Sequence, residues 1–312
     1  MVAALKGRDF LTLRDFSADE ILEILKLAKK VKGSRNMFRG ALDGRGVAMI
    51  FEKPSTRTRI SFEMAVSELG GTPIYLRPME MQLKRGESLA DTARVLSRYV
   101  SLIMARVYEY ETLVDLAKWA EIPVVNGLSN INHPLQTLAD LLTIWERFGR
   151  FREVKIAWVG DGNNVCNSLL VGAAKLGLNV AVATPKGYEP NKEFVDEALK
   201  EAEKSGSSIE FYEDPVEAVS GADVVMTDTF VSMGMEAEAE KRLKIFLPKY
   251  QVTADLMKHA KPDAIFMHPL PAHRGQEVSA EVIDGERSAV WDQAENRLHT
   301  SKALLLMLLG SS

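Results

Sequence analysis

The feature that most restricts this chain is an alternation that runs through both of its halves. Short apolar runs are separated by helix-length segments. In the first half the runs fall at residues 47–51, 74–76, 102–105 and 124–125, and in the second at 154–159, 180–183, 209–212, 224–226 and 265–267. Their unbroken Val, Ile and Ala content suits strands covered on both faces, as in parallel sheets. The intervening segments read as the helices that cover them; residues 17–31 open on a Ser17/Glu20 capping box, and 135–148 and 191–205 carry helical spacing of apolar residues. The fold expected is α/β, with two doubly wound parallel-sheet domains. A length of 312 residues suits two domains at about 150 residues each. The division is expected at 1–150 and 151–312, with the junction near 149–153.

Composition removes several classes of function. Lys and Arg number 39 against 43 Asp and Glu, a net charge of -4. No basic face for nucleic acid is implied, although a local basic pocket for a small anion is compatible. The single cysteine, Cys166, excludes an internal disulfide framework and a thiolate metal site, and it suits a reducing compartment. The longest apolar run, 303–309, is far short of the roughly 18 residues of a membrane span. The first residues lack the apolar core of a signal peptide. The expectation is a cytoplasmic protein with no membrane or nucleic-acid partner, no metal and no cofactor.

Five short motifs carry chemistry. Ser55-Thr56-Arg57-Thr58-Arg59 follows a strand and opens a helix predicted over 60–69. Free N–H groups at a helix start favour an anion, and the two guanidiniums beside three hydroxyls form a dense donor set for phosphate. His133-Pro134-Leu135-Gln136 opens the helix at 135–148; by itself it reads first as a turn histidine before proline, and second as a carbonyl donor with a nearby amide. Gly160-Asp161-Gly162-Asn163-Asn164-Val165 resembles a dinucleotide fingerprint but fails it. Val165 stands where the third glycine belongs, and the strand ending Ala183-Thr184-Pro185 has no acidic residue for a ribose. It reads as a structural turn or a substrate-facing asparagine. Asp228-Thr229-Phe230-Val231-Ser232-Met233-Gly234 follows a strand, where open α/β sheets bind ligands. Asp228 suits an ammonium and Ser232 a carboxylate, and a plain capping loop fits the pattern as well. Last, His268-Pro269-Leu270-Pro271 is a stiff loop able to aim main-chain carbonyls at a ligand, with a cis bond as an option.

Taken together, Ser55-Thr56-Arg57-Thr58, His133-Pro134-Leu135-Gln136 and His268-Pro269-Leu270-Pro271, in that order, resemble the aspartate/ornithine carbamoyltransferase family over essentially the whole length. The likeness extends to Gln82-Leu83-Lys84-Arg85-Gly86-Glu87, to Trp291-Asp292-Gln293-Ala294-Glu295-Asn296-Arg297 and to the final helix. The Asp-x-x-x-Ser-Met-Gly pattern at Asp228–Gly234 is similar to the ornithine branch of that family. The resemblance implies transfer of a carbamoyl group from carbamoyl phosphate to the δ-amine of L-ornithine, giving citrulline and phosphate in arginine biosynthesis. It implies a carbamoyl-phosphate domain and an ornithine domain, with the last helix, about 293–312, returning to the first domain, and a trimer, or a multiple of trimers, with shared sites.

The same resemblance implies residue roles. Ser55, Thr56, Arg57 and Thr58 would grip the phosphate, helped by Gln82 from a neighbouring subunit. Arg106, His133 and Thr58 would bond the carbamoyl oxygen, with Pro134, Leu135 and Gln136 beside the carbamoyl group. The Pro269-Leu270 backbone and Arg297 would complete that site. Asn164, Asp228, Ser232 and Met233 would hold ornithine. Arg57, Arg106 and His133 are the expected catalytic set. One departure stands out. The ornithine branch reads His-Cys-Leu-Pro where this chain has Pro269, so a thiol base cannot operate here. Other amines (aspartate, a diamine, a modified ornithine), a silent carbamoyl-phosphate-binding protein and a nicotinamide dehydrogenase are the competing readings.

Overall fold

A computed structural model describes residues 5–82, 86–232 and 234–310. They form two compact units. One runs through Leu142 and takes up the chain again at Glu295; the other is Thr143–Ala294.

The first unit is built on β1 (Gly46–Phe51), β2 (Thr72–Leu76), β3 (Leu102–Arg106) and β4 (Val124–Leu128), in the order β2-β1-β3-β4, every pairing parallel. Its helices are α1 (Ala18–Gly33), α2 (Thr56–Glu68), α3 (Leu89–Tyr99), α4 (Tyr110–Trp119) and the start of α5 (Pro134–Phe148). The capping box expected at the start of α1 is present: Ser17 accepts from the Glu20 N–H, and the Glu20 carboxylate accepts from the Ser17 N–H. β1 and β3 are almost fully buried, and Ala48, Ile50, Ile103 and Ala105 pack with Leu113 and Leu116 of α4. Each Ile or Leu among them contributes about 1.5–3 kcal/mol by leaving water.

The second unit holds β5 (Lys155–Val159), β6 (Asn179–Ala183), β7 (Ile209–Tyr212), β8 (Val224–Met226) and β9 (Ile265–Met267) in the order β7-β6-β5-β8-β9, again all parallel. Its helices are α6 (Asn164–Leu176), α7 (Lys192–Ser205), α8 (Pro215–Val219), α9 (Ala239–Phe246), α10 (Ala254–Met257) and α11 (Ala280–Ile283). The final helix, α12 (Val290–Leu309), begins in this unit and ends in the first.

Strand order decides where ligands can go. In each sheet the chain first builds outward on one side of its first strand and then crosses to the other. The switch points are β1/β3 in the first unit and β5/β8 in the second. At such a point the loops leaving the carboxyl ends diverge and leave a crevice. The glycine-rich turn after β5 is structural. A Cβ at Gly162 would meet the Pro190 nitrogen at 2.3 Å, and Gly160 has φ +126. Close backbone approach accounts for Gly162 and the positive φ for Gly160. Among the described residues no helix is long and apolar enough to cross a membrane.

The last helix is fixed to the first unit by a buried lysine. Lys302 is 1% exposed; its Nζ donates to the Arg35 carbonyl at 2.7 Å and pairs with Glu68 at 3.0 Å. Removing one partner of a buried pair is strongly destabilising. Lys302→Ala is expected to lower the unfolding free energy by about 3 kcal/mol, read as a lower denaturant midpoint at constant slope. An unchanged midpoint would show that the lysine does not anchor α12.

Candidate active site

The β1/β3 crevice of the first unit gathers cationic groups around one hydroxyl. Ser55 is the N-cap of α2, and its Oγ accepts the Thr58 N–H at 3.2 Å. This turns Thr58 inward, where it is 2% exposed. Arg106 is the last residue of β3, and its Nη1 reaches Thr58 Oγ1 at 3.4 Å. Arg297, from α12, donates to the same oxygen at 3.0 Å, and to Gln136 Oε1 at 2.5 Å. Gln136 passes its own Nε2–H to Asp140 Oδ1 at 2.8 Å. Arg57 and Arg59, expected as a joint donor set, part company. Arg59 pairs with Glu63 at 2.9 Å and lies 3.7 Å over the Tyr75 ring, because residues two apart on a helix point to different faces.

His133 is set at the start of α5 by a buried polar knot. Asn132 Oδ1 accepts from Asn126 (2.5 Å) and Ser129 (2.8 Å), and its amide donates to the Leu11 carbonyl. His133, Pro134, Leu135 and Gln136 are all buried; Leu135 is a core side chain, so its backbone is what it can offer a ligand. Burial, and then the charges of Arg297, Arg106 and Arg57, hold His133 well below the usual imidazole range. At neutral pH it is therefore an uncharged donor. Burial and the neighbouring guanidiniums of Arg106 and Arg57 pull Arg297 down to about 9, with Asp140 opposing them. It still carries its proton at pH 7. The crevice thus holds like charges together with few counter-charges. Such a site favours an anion with several oxygens. Arg297 Nε, buried and without a hydrogen-bond partner, is a donor still to be satisfied.

The β5/β8 crevice of the second unit is acidic. Asp228 follows β8 by two residues; its Oδ1 accepts the Thr229 N–H at 2.8 Å and its Oδ2 the side-chain amide of Asn163 at 2.8 Å. Burial raises this carboxyl, while the nearby His268 ring and the two hydrogen bonds oppose the rise. Asn163 is itself fixed as the N-cap of α6 by accepting from the N–H groups of Val165 and Cys166. Asn164, the residue singled out from the motif, is the first residue of α6 and half-buried. It is Asn163 that bonds Asp228. Ser232 is half-buried, and Met233 lies outside the described residues.

Beyond β9, His268 Nδ1 accepts the Leu270 N–H at 2.8 Å, which leaves the ring proton on Nε2, 3.2 Å from the buried Glu277. Leu270 sits at φ 59, a conformation costly for a leucine, and the Leu270-Pro271 bond is cis. Pro269 is buried. The only cysteine, Cys166, is buried in α6 with its thiol pushed well up by burial, so it does not replace the missing one. Gln82 lies in an exposed stretch whose carbonyl accepts the Glu87 N–H at 3.2 Å; residues 83–85 of that motif are outside the described residues. Among the described residues no group of three or more His, Cys, Asp or Glu is placed to hold a metal ion.

Asp140 and Asn163 are not among the sequence-derived candidates. Asp140 had a signal, since it stands four residues after Gln136 on one helix face. Asn163 had one too, as an N-cap residue type directly before α6.

The depressed His133 leaves a thermodynamic trace. Its folded pKa lies below the unfolded value of 6.5, so below pH 6.5 the unfolded chain takes a proton that the folded chain refuses. This contribution to stability is present above that value and declines as pH falls. Relative to the parent, His133→Gln is expected to gain unfolding free energy as pH drops from 6.5 toward 5, by up to about 1.4 kcal/mol per unit. Parallel stability curves for the two chains would contradict a neutral His133.

Comparison with known proteins agrees with this division of labour. A family model described as "Aspartate/ornithine carbamoyltransferase, carbamoyl-P binding domain" matches residues 8–146, and one described as "Aspartate/ornithine carbamoyltransferase, Asp/Orn binding domain" matches 152–308. Over 312 aligned residues the chain is 56% identical to the ornithine carbamoyltransferase of Pyrococcus horikoshii, covering 99% of this chain and 98% of that one. It is also 56% identical to the enzyme named "Ornithine carbamoyltransferase, anabolic" from Pyrococcus furiosus, covering 99% of each. The solved structure of ornithine carbamoyltransferase from Pyrococcus furiosus superposes with a TM-score of 0.95 at 55% identity, again over 99% of both chains. Matched by both family models from end to end, the chain belongs to the aspartate/ornithine carbamoyltransferase family.

Proposed function

We propose that this protein transfers the carbamoyl group of carbamoyl phosphate to the δ-amine of L-ornithine, producing L-citrulline and phosphate, a step of arginine biosynthesis. The observation that carries this reading is the convergence of Arg106 and Arg297 on the Thr58 hydroxyl, with Arg57 near enough for its charge to act on Arg297. Their like charges stand together in a buried crevice and ask for a multiply charged anion.

Carbamoyl phosphate is a mixed anhydride and needs orientation more than activation. Ser55, Thr56, Arg57 and Thr58 at the start of α2 take the phosphate, with Arg106 and Arg297 beside them. The neutral His133, Arg106 and Thr58 donate to the carbamoyl oxygen as negative charge builds on it, and losing one such donor typically costs about 10²–10³ in rate. Gln136, oriented by Arg297 and Asp140, and the backbone of Pro134, Leu135, Pro269 and Leu270 recognise the carbamoyl amide. The amine nitrogen bonds the carbamoyl carbon, the carbon–oxygen bond to phosphate breaks, and the nitrogen's proton passes to the departing phosphate. By analogy with lysine the δ-amine has a pKa near ~10.4, so it gives one proton to solvent before it attacks. Phosphate as acceptor makes a thiol at position 269 unnecessary.

In the second unit Asp228, held by Asn163, takes the α-ammonium of ornithine, with Asn164, Ser232 and Met233 completing its recognition. The enzyme works in the cytosol as a trimer, or a multiple of trimers, with Gln82 of one subunit serving its neighbour's phosphate. Exposed apolar side chains at Ile60, Met64, Ile74 and Met79, on α2, β2 and the chain leading to Gln82, support a covering copy there.

The direct test is product formation with each amine in parallel. Ornithine is expected to yield citrulline, while aspartate and putrescine yield no carbamoylated product at comparable concentration. Because Pro269 is the residue of the aspartate branch, carbamoylaspartate as main product would overturn the substrate assignment. Asp228→Ala is expected to raise the KM for ornithine by about 100-fold or more and to leave that for carbamoyl phosphate near its parent value. Equal changes in both would remove Asp228 from the amine site.

A further inference from the structure

Arg242 lies on α9, outside every motif that carries the family resemblance, and is 4% exposed. Its Nε donates to the Phe230 carbonyl at 2.5 Å, and its Nη2 pairs with Asp161. The guanidinium lies over the rings of Tyr188 (4.9 Å) and Phe246 (5.4 Å). The Phe230 ring stacks on Phe246 with centroids 4.7 Å apart. Phe230 is two residues after Asp228 and two before Ser232; Asp161 is two residues before Asn163, whose amide holds Asp228. One guanidinium therefore ties the loop after β8 to the loop after β5, the two loops that carry the Asp228–Asn163 pair.

Stability alone does not explain a charge in this place. A buried ion pair is often no better than an apolar replacement of similar volume, and the ring-lined surroundings would accept one. What an apolar residue cannot supply is a donor at a fixed point for the Phe230 carbonyl, whose partner among the described residues is Arg242. The pair is intact at neutral pH: burial pushes Asp161 up to about 6, Arg242 opposing, and the charge of nearby Asp228 adds to the rise. Trp158 Nε1 fixes the backbone at Asp161 by donating to its carbonyl at 2.9 Å, so the guanidinium is braced from a rigid strand end.

We infer that Arg242, braced by Asp161, is a positioning residue for the amine substrate: it sets the Phe230 carbonyl, and through it the separation of Asp228 from Ser232. This rests on the reading of Asp228 and Ser232 as the partners of ornithine's ammonium and carboxylate. Arg242 makes no substrate contact in this account. Its loss should therefore appear as weaker ornithine capture and leave the phosphate crevice of the other unit unaltered.

The test is steady-state kinetics on the full-length parent and on Arg242→Gln, Arg242→Lys and Asp161→Asn, with ornithine and carbamoyl phosphate varied in turn. Arg242→Gln is expected to raise the ornithine KM by about tenfold or more and to change that of carbamoyl phosphate by less than about twofold. Lysine, which keeps the charge but not the fork, should recover part of the loss. Asp161→Asn, which leaves the Phe230 bond but loosens its brace, should shift the same constant in the same direction by less. An unmoved ornithine KM, or both KM values rising together, in variants that fold overturns the inference. If the glutamine variant does not fold, the lysine and asparagine variants decide by the same split. A parent that forms no citrulline overturns the substrate reading and this inference with it; an active parent with unshifted variants overturns this inference alone.

Discussion

The interaction on which the rest depends is the repulsion among Arg57, Arg106 and Arg297, two of which donate to a single threonine hydroxyl. Left to itself, such a cluster would destabilise any fold. It persists because each guanidinium is fixed by something the fold supplies for other reasons. Arg106 ends a buried central strand, Arg57 stands in the first turn of a capped helix, and Arg297 rides on a helix anchored by Lys302 and Glu68. Asp140, reached through Gln136, is the counter-charge that acts on Arg297. The pocket is therefore suited to an anion, whose charge its fixed donors can meet with little rearrangement. That is electrostatic preorganisation in its simplest form. The neutrality of His133 comes first from burial and then from the same cations, which oppose a charge on the imidazole.

The second unit uses the same topology for the opposite charge. Its switch point presents Asp228 and Asn163 where the first unit presents Thr58 and Arg106. One architectural rule, with loops diverging between strands that lead in opposite directions, opens two crevices of opposite charge. Chemistry enters through the side chains on those loops, as expected where a common fold hosts specific sites.

Much of this was legible in the sequence. Every apolar run read as a strand is one: central strands such as β3, β5 and β6 are buried and apolar, while the edge strands β2 and β7 are partly exposed. The short edges were harder: β4 extends to Leu128 through Asn126 and Gly127, which strand propensity alone disfavours. Local site features were legible too, such as the Ser55 cap and the placement of Asp228 after a strand. What no local pattern holds is the pairing of distant residues. Arg297 meets Thr58 across 239 positions and Arg242 meets Asp161 across 81, and helix geometry sends Arg59 away from its neighbour Arg57. Adjacent asparagines also differ in kind: Asn163, outside the helix, can turn its amide to Asp228, whereas Asn164 has already joined the helical turn.

The most direct measurement of the central claim is titration calorimetry with phosphonoacetamide, a stable carbamoyl phosphate analogue, on the parent and on Arg297→Met without any amine present. If the guanidinium cluster is a prepared anion site, the parent binds one analogue per chain. The variant then loses about 100-fold or more in affinity while being at least as stable as the ligand-free parent, since a like charge has been removed from the crevice. Equal affinity in the two proteins, or no binding to the parent, would contradict the account.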